Sequence, residues 1–179
     1  MICLKLHYRL ILNKYFLSLF GVDRFADFRP EVKREANLRD VLFNVEENFE
    51  NISRSNYMHN ILNTTFIDID KHLKEKMEIY DKNIIEYINY INQKRDKPIV
   101  LTYFQYLAIL FTEIYLDKYY NDRNRFISDL NEFVDKLNRE IKDTKNKYSH
   151  FYEKDLNKLA YYMATGSGKT LIMHINYLQ

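Results

Sequence analysis

Apolar positions recur at steps of three and four along much of the chain, and the sharpest series is Leu73, Met77, Tyr80, Ile84, Ile88 and Ile91. Such spacing places these side chains on one face of a helix. Asp68 or Asp70 is positioned to cap that helix. The cluster from Gln93 to Pro98 (QKRDKP) stops it, because the residue before a proline is pushed out of the helical region. Phe126, Leu130, Phe133, Leu137 and Ile141 predict a second amphipathic helix. A third is predicted from about Pro30 to Phe49, where Val32, Ala36, Leu38, Val41, Leu42, Val45 and Phe49 alternate with charged residues. Pro30 suits its first turn, where a missing N–H has no consequence, and the polar interval from Glu50 to Asn56 ends it.

The longest uncharged run, Pro98 to Thr112 (PIVLTYFQYLAILFT), falls short of the roughly 20 residues of a membrane span and carries Gln105 near its middle. It reads as the start of a buried helix. The apolar N-terminus, MICLKLHYRLILNKYFLSLFG, is interrupted by Lys5, His7, Arg9 and Lys14, so it reads as part of the fold and not as a signal peptide. Gly21 and the stretch up to Pro30 make the first break. From Lys142 to His150 (KDTKNKYSH) no apolar period survives, and a boundary is expected there, dividing a helical region, 1–150, from residues 151–179.

Composition narrows the fold class further. Three glycines and two prolines among 179 residues are too few for a turn-rich all-β protein, since ordinary usage of the two is roughly 12%. The expectation is a mainly α fold. With 27 basic and 25 acidic side chains, the net charge of +2 neither requires nor excludes a polyanionic partner. The single cysteine, Cys3, excludes an intramolecular disulfide framework and a cysteine-based zinc finger, and fits a reducing, cytoplasmic setting. Asn, Ile, Lys and Tyr are abundant without forming a low-complexity tract, and nothing functional follows from that.

Specific chemistry enters only after the boundary, in DLNKLAYYMATGSGKTLIMHINYLQ. Two of the three glycines fall in the heptad from Ala164 to Thr170, where a backbone wrapped around a phosphate needs positive φ angles and no Cβ. Ala160 to Met163 is apolar and aromatic, as a buried strand is; Leu171 to Leu178 has helical spacing. Strand, glycine loop and helix come in the order a phosphate cradle requires. Thr165, Gly166, Ser167, Gly168, Lys169 and Thr170 are therefore the candidate nucleotide-binding residues. Backbone N–H groups from about Gly166 to Thr170 would face the β-phosphate, the Lys169 ammonium would reach the β and γ oxygens, and the Thr170 hydroxyl would be one magnesium ligand. Met163 stands where the full Walker pattern has its first glycine.

MATGSGKT resembles motif I of superfamily 2 helicases and translocases, in particular the ATPase subunits of type I and type III restriction enzymes. The resemblance covers about twenty-five C-terminal residues. It implies the first strand, loop and helix of a RecA-like α/β domain, ATP and magnesium as cofactors, DNA as partner, and ATP-dependent translocation or unwinding. In that family the acidic motif that holds magnesium, and the second lobe, lie well after motif I, whereas nine residues follow Thr170 here. Hydrolysis by this polypeptide alone is not expected, and a protein partner completing the motor is. The last twenty-five residues are expected to be the least stable part of the chain.

Weaker features point elsewhere. Tyr119 to Phe126 (YYNDRNRF) interleaves aromatic and basic residues, a pattern that stacks on single-stranded bases but equally describes a helix end with its aromatics turned inward, which is the expectation. His7, His59, His72, His150 and His174 are scattered without metal-ligand spacing, and Cys3 lacks an activating base. Gln105 invites comparison with the adenine-reading glutamine of some helicases, but its apolar surroundings predict a buried, hydrogen-bonded amide. Asp68 and Asp70 read as helix caps, not as an acidic strand end. The alternative function is a stand-alone interaction module in which the amphipathic helices 68–95 and 122–141 bind a protein partner and GSGKT is vestigial.

Overall fold

A computed structural model describes residues 10–22, 37–50, 52–64, 68–69 and 71–179. The chain is mainly helical, and no strand occurs among the described residues. Seven α-helices appear there: α1 (Ile11–Leu19), α2 (Leu38–Leu42), α3 (Asn56–Asn63), α4 (Lys71–Asn92), α5 (Tyr103–Asn121), α6 (Arg123–Arg139) and α7 (Lys169–Asn176). Short 3₁₀ turns occupy Thr144–Asn146 and Glu153–Asn157.

The apolar residues of α5 surround its axis, which is the signature of a helix enclosed on every side. Helices α4, α6 and α7 all pack on it. The face predicted for α4 is the one buried: Leu73, Met77, Tyr80, Ile84 and Ile88. From α6 come Phe126, Leu130 and Val134, and from α1, which packs on α6, come Ile11, Tyr15, Phe16 and Leu17. Aromatic rings fill the junction between these helices, with Phe16 stacked on Phe111 at 5.3 Å and Phe126 edge-on to Tyr115 at 5.4 Å. The faces of α4 and α6 are thus consumed by the chain's own core. No described helix is long and apolar enough to cross a membrane.

The expected helix from Pro30 to Phe49 needs correction. Asn37 has extended φ and ψ and accepts from the Asp40 N–H at 3.0 Å, so a helix begins at Leu38; it ends at Leu42. Beyond it the side chains of Glu47 and Asn48 take the N–H groups of Asn48 and Glu50, offering the backbone a local alternative to helix. Residues 30–36 lie outside the described residues, as do Asp70, Cys3, Lys5, His7 and Arg9. Helix α3, which follows the polar interval and answers to no predicted element, starts at the N-cap Ser55, whose hydroxyl accepts from Met58 N–H at 3.0 Å.

A buried polar knot joins α3, α4 and α5. Asp81, 1% exposed, accepts from Ser55 N–H (2.7 Å), Ser55 Oγ (2.5 Å) and Tyr106 Oη (2.6 Å). These three donors compensate the removal of the carboxylate from water. Burial, and after it the Asp81 charge, raises the Tyr106 phenol well above its usual range.

Three asparagines do comparable work on the backbone. Asn92 brackets Ile99, Asn131 brackets Phe151 and Asn138 brackets Tyr148, each amide donating to the residue's carbonyl and accepting from its N–H at 2.7–3.0 Å. The last two lie seven residues apart on α6 and lay the segment following Lys147 along that helix. Helix α7 then closes the core with Ile172 and Ile175, which join the same apolar cluster as α1 to α6.

Candidate functional site

The chain enters the glycine loop in an extended run whose burial alternates. Leu159, Tyr161 and Met163 are half-buried while Ala160, Tyr162 and Ala164 are exposed, the period-two pattern of a strand with one face covered. The expected strand at Ala160 to Met163 nonetheless does not form, because no second strand lies beside it among the described residues. Its inner face is held by side chains instead. The Tyr161 hydroxyl hydrogen-bonds Thr112 of α5 and the Asn176 side chain of α7, and burial raises its phenol above the usual value.

At Ala164 the chain turns. Ser167 N–H donates to Ala164 O at 3.2 Å, closing a four-residue turn, and the Ser167 hydroxyl reaches the same carbonyl at 2.6 Å. Gly166, third in the turn, has φ +78°, the left-handed value for which glycine is the ordinary solution. Gly168 has φ +90° and caps α7.

Helix α7 begins at Lys169 with no side chain capping it. Its first N–H groups, on Lys169, Thr170 and Leu171, together with that of Gly168, have no acceptor among the described residues. The Lys169 side chain folds back over the turn, its Nζ donating to Met163 O (2.8 Å) and Ala164 O (2.9 Å). The Thr170 side chain is exposed and takes no hydrogen bond among the described residues. The six candidate residues are therefore gathered on one short turn, with Thr165 and Gly166 at its exposed tip. Unpaired N–H groups at a helix N-terminus, a neighbouring ammonium and a free hydroxyl are the donor set that fits a polyphosphate with its magnesium. Among the described residues no carboxylate is bonded to the loop.

One contact of the loop had no signal in the spacing of the sequence. Gln105, in the first turn of α5, accepts from Thr102 N–H through Oε1 (2.9 Å) and donates from Nε2 to Ser167 O (2.9 Å). It is a buried, hydrogen-bonded amide, but its partner is the glycine loop 62 residues away. A Cβ on Gly168 would stand 2.3 Å from that Nε2. A polar residue in an otherwise apolar run was the only available hint.

The other candidates lie apart. In the Tyr119 to Phe126 stretch, Phe126 is buried, Tyr119 packs under the Arg123 guanidinium at 4.1 Å and bonds Asn157, and Tyr120 is exposed. Arg123 pairs with Glu153 at 2.6 Å. No group of three or more His, Cys, Asp or Glu is gathered among the described residues. Compared with family models, with curated proteins and with solved structures, the chain matches none.

Proposed function

We propose that residues 165–170 bind the phosphates of ATP, and that the chain is the N-terminal portion of an ATP-dependent DNA helicase or translocase of the restriction-enzyme type, working in the cytoplasm. The observation that carries the first half is the conjunction at one turn of two positive-φ glycines, free N–H groups at the head of α7 and the Lys169 ammonium. Each is a donor or makes room for one, and an anion of several oxygens is what satisfies them together.

In this reading Lys169 leaves the carbonyls of Met163 and Ala164 for the β and γ oxygens. The N–H groups of Gly168, Lys169 and Thr170 receive the β-phosphate, and Thr170 Oγ1 supplies one magnesium ligand. Magnesium bound there would neutralise phosphate charge. DNA as partner, and a protein that completes the motor, rest on the resemblance of MATGSGKT to motif I. The extended run 159–163 pairs with no strand among the described residues, which leaves room for a second polypeptide segment to join there. The alternative of a helical interaction module draws less support, because α4 and α6 spend their apolar faces inside this chain.

The test is titration with a fluorescent ATP analogue and magnesium. Binding is expected, with its loss in Lys169→Ala. Equal affinity in that variant would overturn the phosphate reading.

A further inference from the structure

We infer that Gln105 is a positioning residue for the phosphate loop, aiming the Gly168 N–H at the anion; this rests on the phosphate reading above. The amide is fixed at both ends. Thr102 N–H can only donate and Ser167 O can only accept, so Oε1 and Nε2 have one possible assignment. In a planar trans peptide the carbonyl and the next N–H point to opposite sides. The Ser167–Gly168 bond is trans, so drawing Ser167 O toward α5 turns Gly168 N–H away from α5, where it meets no acceptor among the described residues.

The same amide fills the space a Cβ would occupy at residue 168, at 2.3 Å, so the glycine and the glutamine are mutually fitted. Gly168 adopts φ +90° with this carbonyl held. Without the hydrogen bond, that peptide plane has no other side-chain restraint among the described residues. Because Oε1 caps α5 at the same time, the loop is referenced to the most enclosed helix of the fold rather than to its own flanks.

Two substitutions separate this role from that of a helix cap. Gln105→Glu keeps an acceptor for Thr102 N–H but has no donor for Ser167 O, and Gln105→Met removes both bonds without adding charge. Affinities for inorganic pyrophosphate and for ATP, each with magnesium, are measured by calorimetry on the full chain, with folding checked by circular dichroism and Lys169→Ala alongside. Both Gln105 variants are expected to weaken both ligands by the same factor, about 3- to 10-fold for one lost neutral hydrogen bond.

Wild-type pyrophosphate affinity in folded Gln105→Glu would overturn the inference and leave a cap alone. A loss for ATP without one for pyrophosphate would overturn it in favour of contact with the base. If Lys169→Ala loses binding while both Gln105 variants keep it, only the positioning role fails. If Lys169→Ala binds as wild type does, or the wild type binds neither ligand, the phosphate reading fails and takes this inference with it.

Discussion

The two loop glycines offer an internal comparison, since both have positive φ but only one is enclosed. An alanine at Gly166 meets nothing within 4 Å, so its penalty is that of the left-handed backbone alone, roughly 1–2 kcal/mol, offset by about 0.5 kcal/mol from the stiffer unfolded chain. At Gly168 the same penalty applies, and the new Cβ stands 2.3 Å from Gln105 Nε2. The obstruction is the tip of a flexible side chain, so the glutamine moves and its bonds to Thr102 N–H and Ser167 O are lost, at about 1 kcal/mol each. Gly166→Ala is therefore expected to destabilise by about 1 kcal/mol and Gly168→Ala by about 3 kcal/mol. Urea unfolding followed by circular dichroism reads both from the midpoint at constant slope. In a Gln105→Ala background, where the obstruction is already gone, Gly168→Ala should return to about 1 kcal/mol, a coupling of about 2 kcal/mol in the double-mutant cycle. Single-site terms cancel in that cycle. Equal penalties at the two glycines, or no coupling to Gln105, would refute the fit between the amide and the loop.

Two further outcomes follow from the core. Asp81→Ala strands Ser55 N–H and leaves the Ser55 and Tyr106 hydroxyls only their mutual 3.3 Å contact in a buried site, and should destabilise by about 3 kcal/mol, with Asp81→Asn milder; a change below about 1 kcal/mol in urea would contradict the knot. Burial pushes Tyr57 and Tyr115 up to about 12, while the unfolded phenols ionise near 10. Between those values the folded state holds more protons, so stability is intact below pH 10 and falls as pH rises toward 12, by about 1.4 kcal/mol per pH unit for each tyrosine. A urea midpoint unchanged across that window would count against it.

The long helices were legible because periodicity records which face a helix buries. The series from Leu73 to Ile88 and from Phe126 to Leu130 did so directly, and the apolar run before Thr112 marked a helix enclosed on all sides. The short elements were not. Helix α2 spans only five residues, and its start is set by the Asn37 amide, which no apolar period reports. Helix α3 announced itself only through Ser55, a cap residue among many polar neighbours. The abundance of asparagine carried more information than composition reveals, since Asn92, Asn131 and Asn138 each replace a missing backbone partner for a chain segment that passes them. At the loop, residue types disclosed the positive-φ glycines and the donor-rich turn, but not that α5 supports it.

That support has a period of its own. Gln105, Ile109, Thr112 and Glu113 stand at i, i+4, i+7 and i+8 on α5, and the polar groups on this stripe meet the C-terminal segment: Gln105 the Ser167 carbonyl, Thr112 the Tyr161 hydroxyl, and both Ile109 O and Glu113 the Gln179 amide, at 3.3 and 2.8 Å. The segment entering the loop has apolar packing and these side-chain bonds, but no ladder hydrogen bonds among the described residues, so its position depends on the stripe more than a strand inside a sheet would. Thr112→Val removes a hydroxyl without changing shape and leaves Tyr161 Oη with the Asn176 side chain as its remaining partner. The expected loss is about 1 kcal/mol, and the more telling readout is local. Amides of residues 159–163 have no acceptors among the described residues and should exchange early in the wild type, while those in the second half of α7, anchored by buried Ile172 and Ile175, exchange late. In Thr112→Val the protection of α7 should fall with that of α4 unchanged, because Asn176 and Tyr161 are loosened together. Uniform loss of protection across α4 and α7 would instead mean that the stripe adds only global stability and does not set where the loop sits.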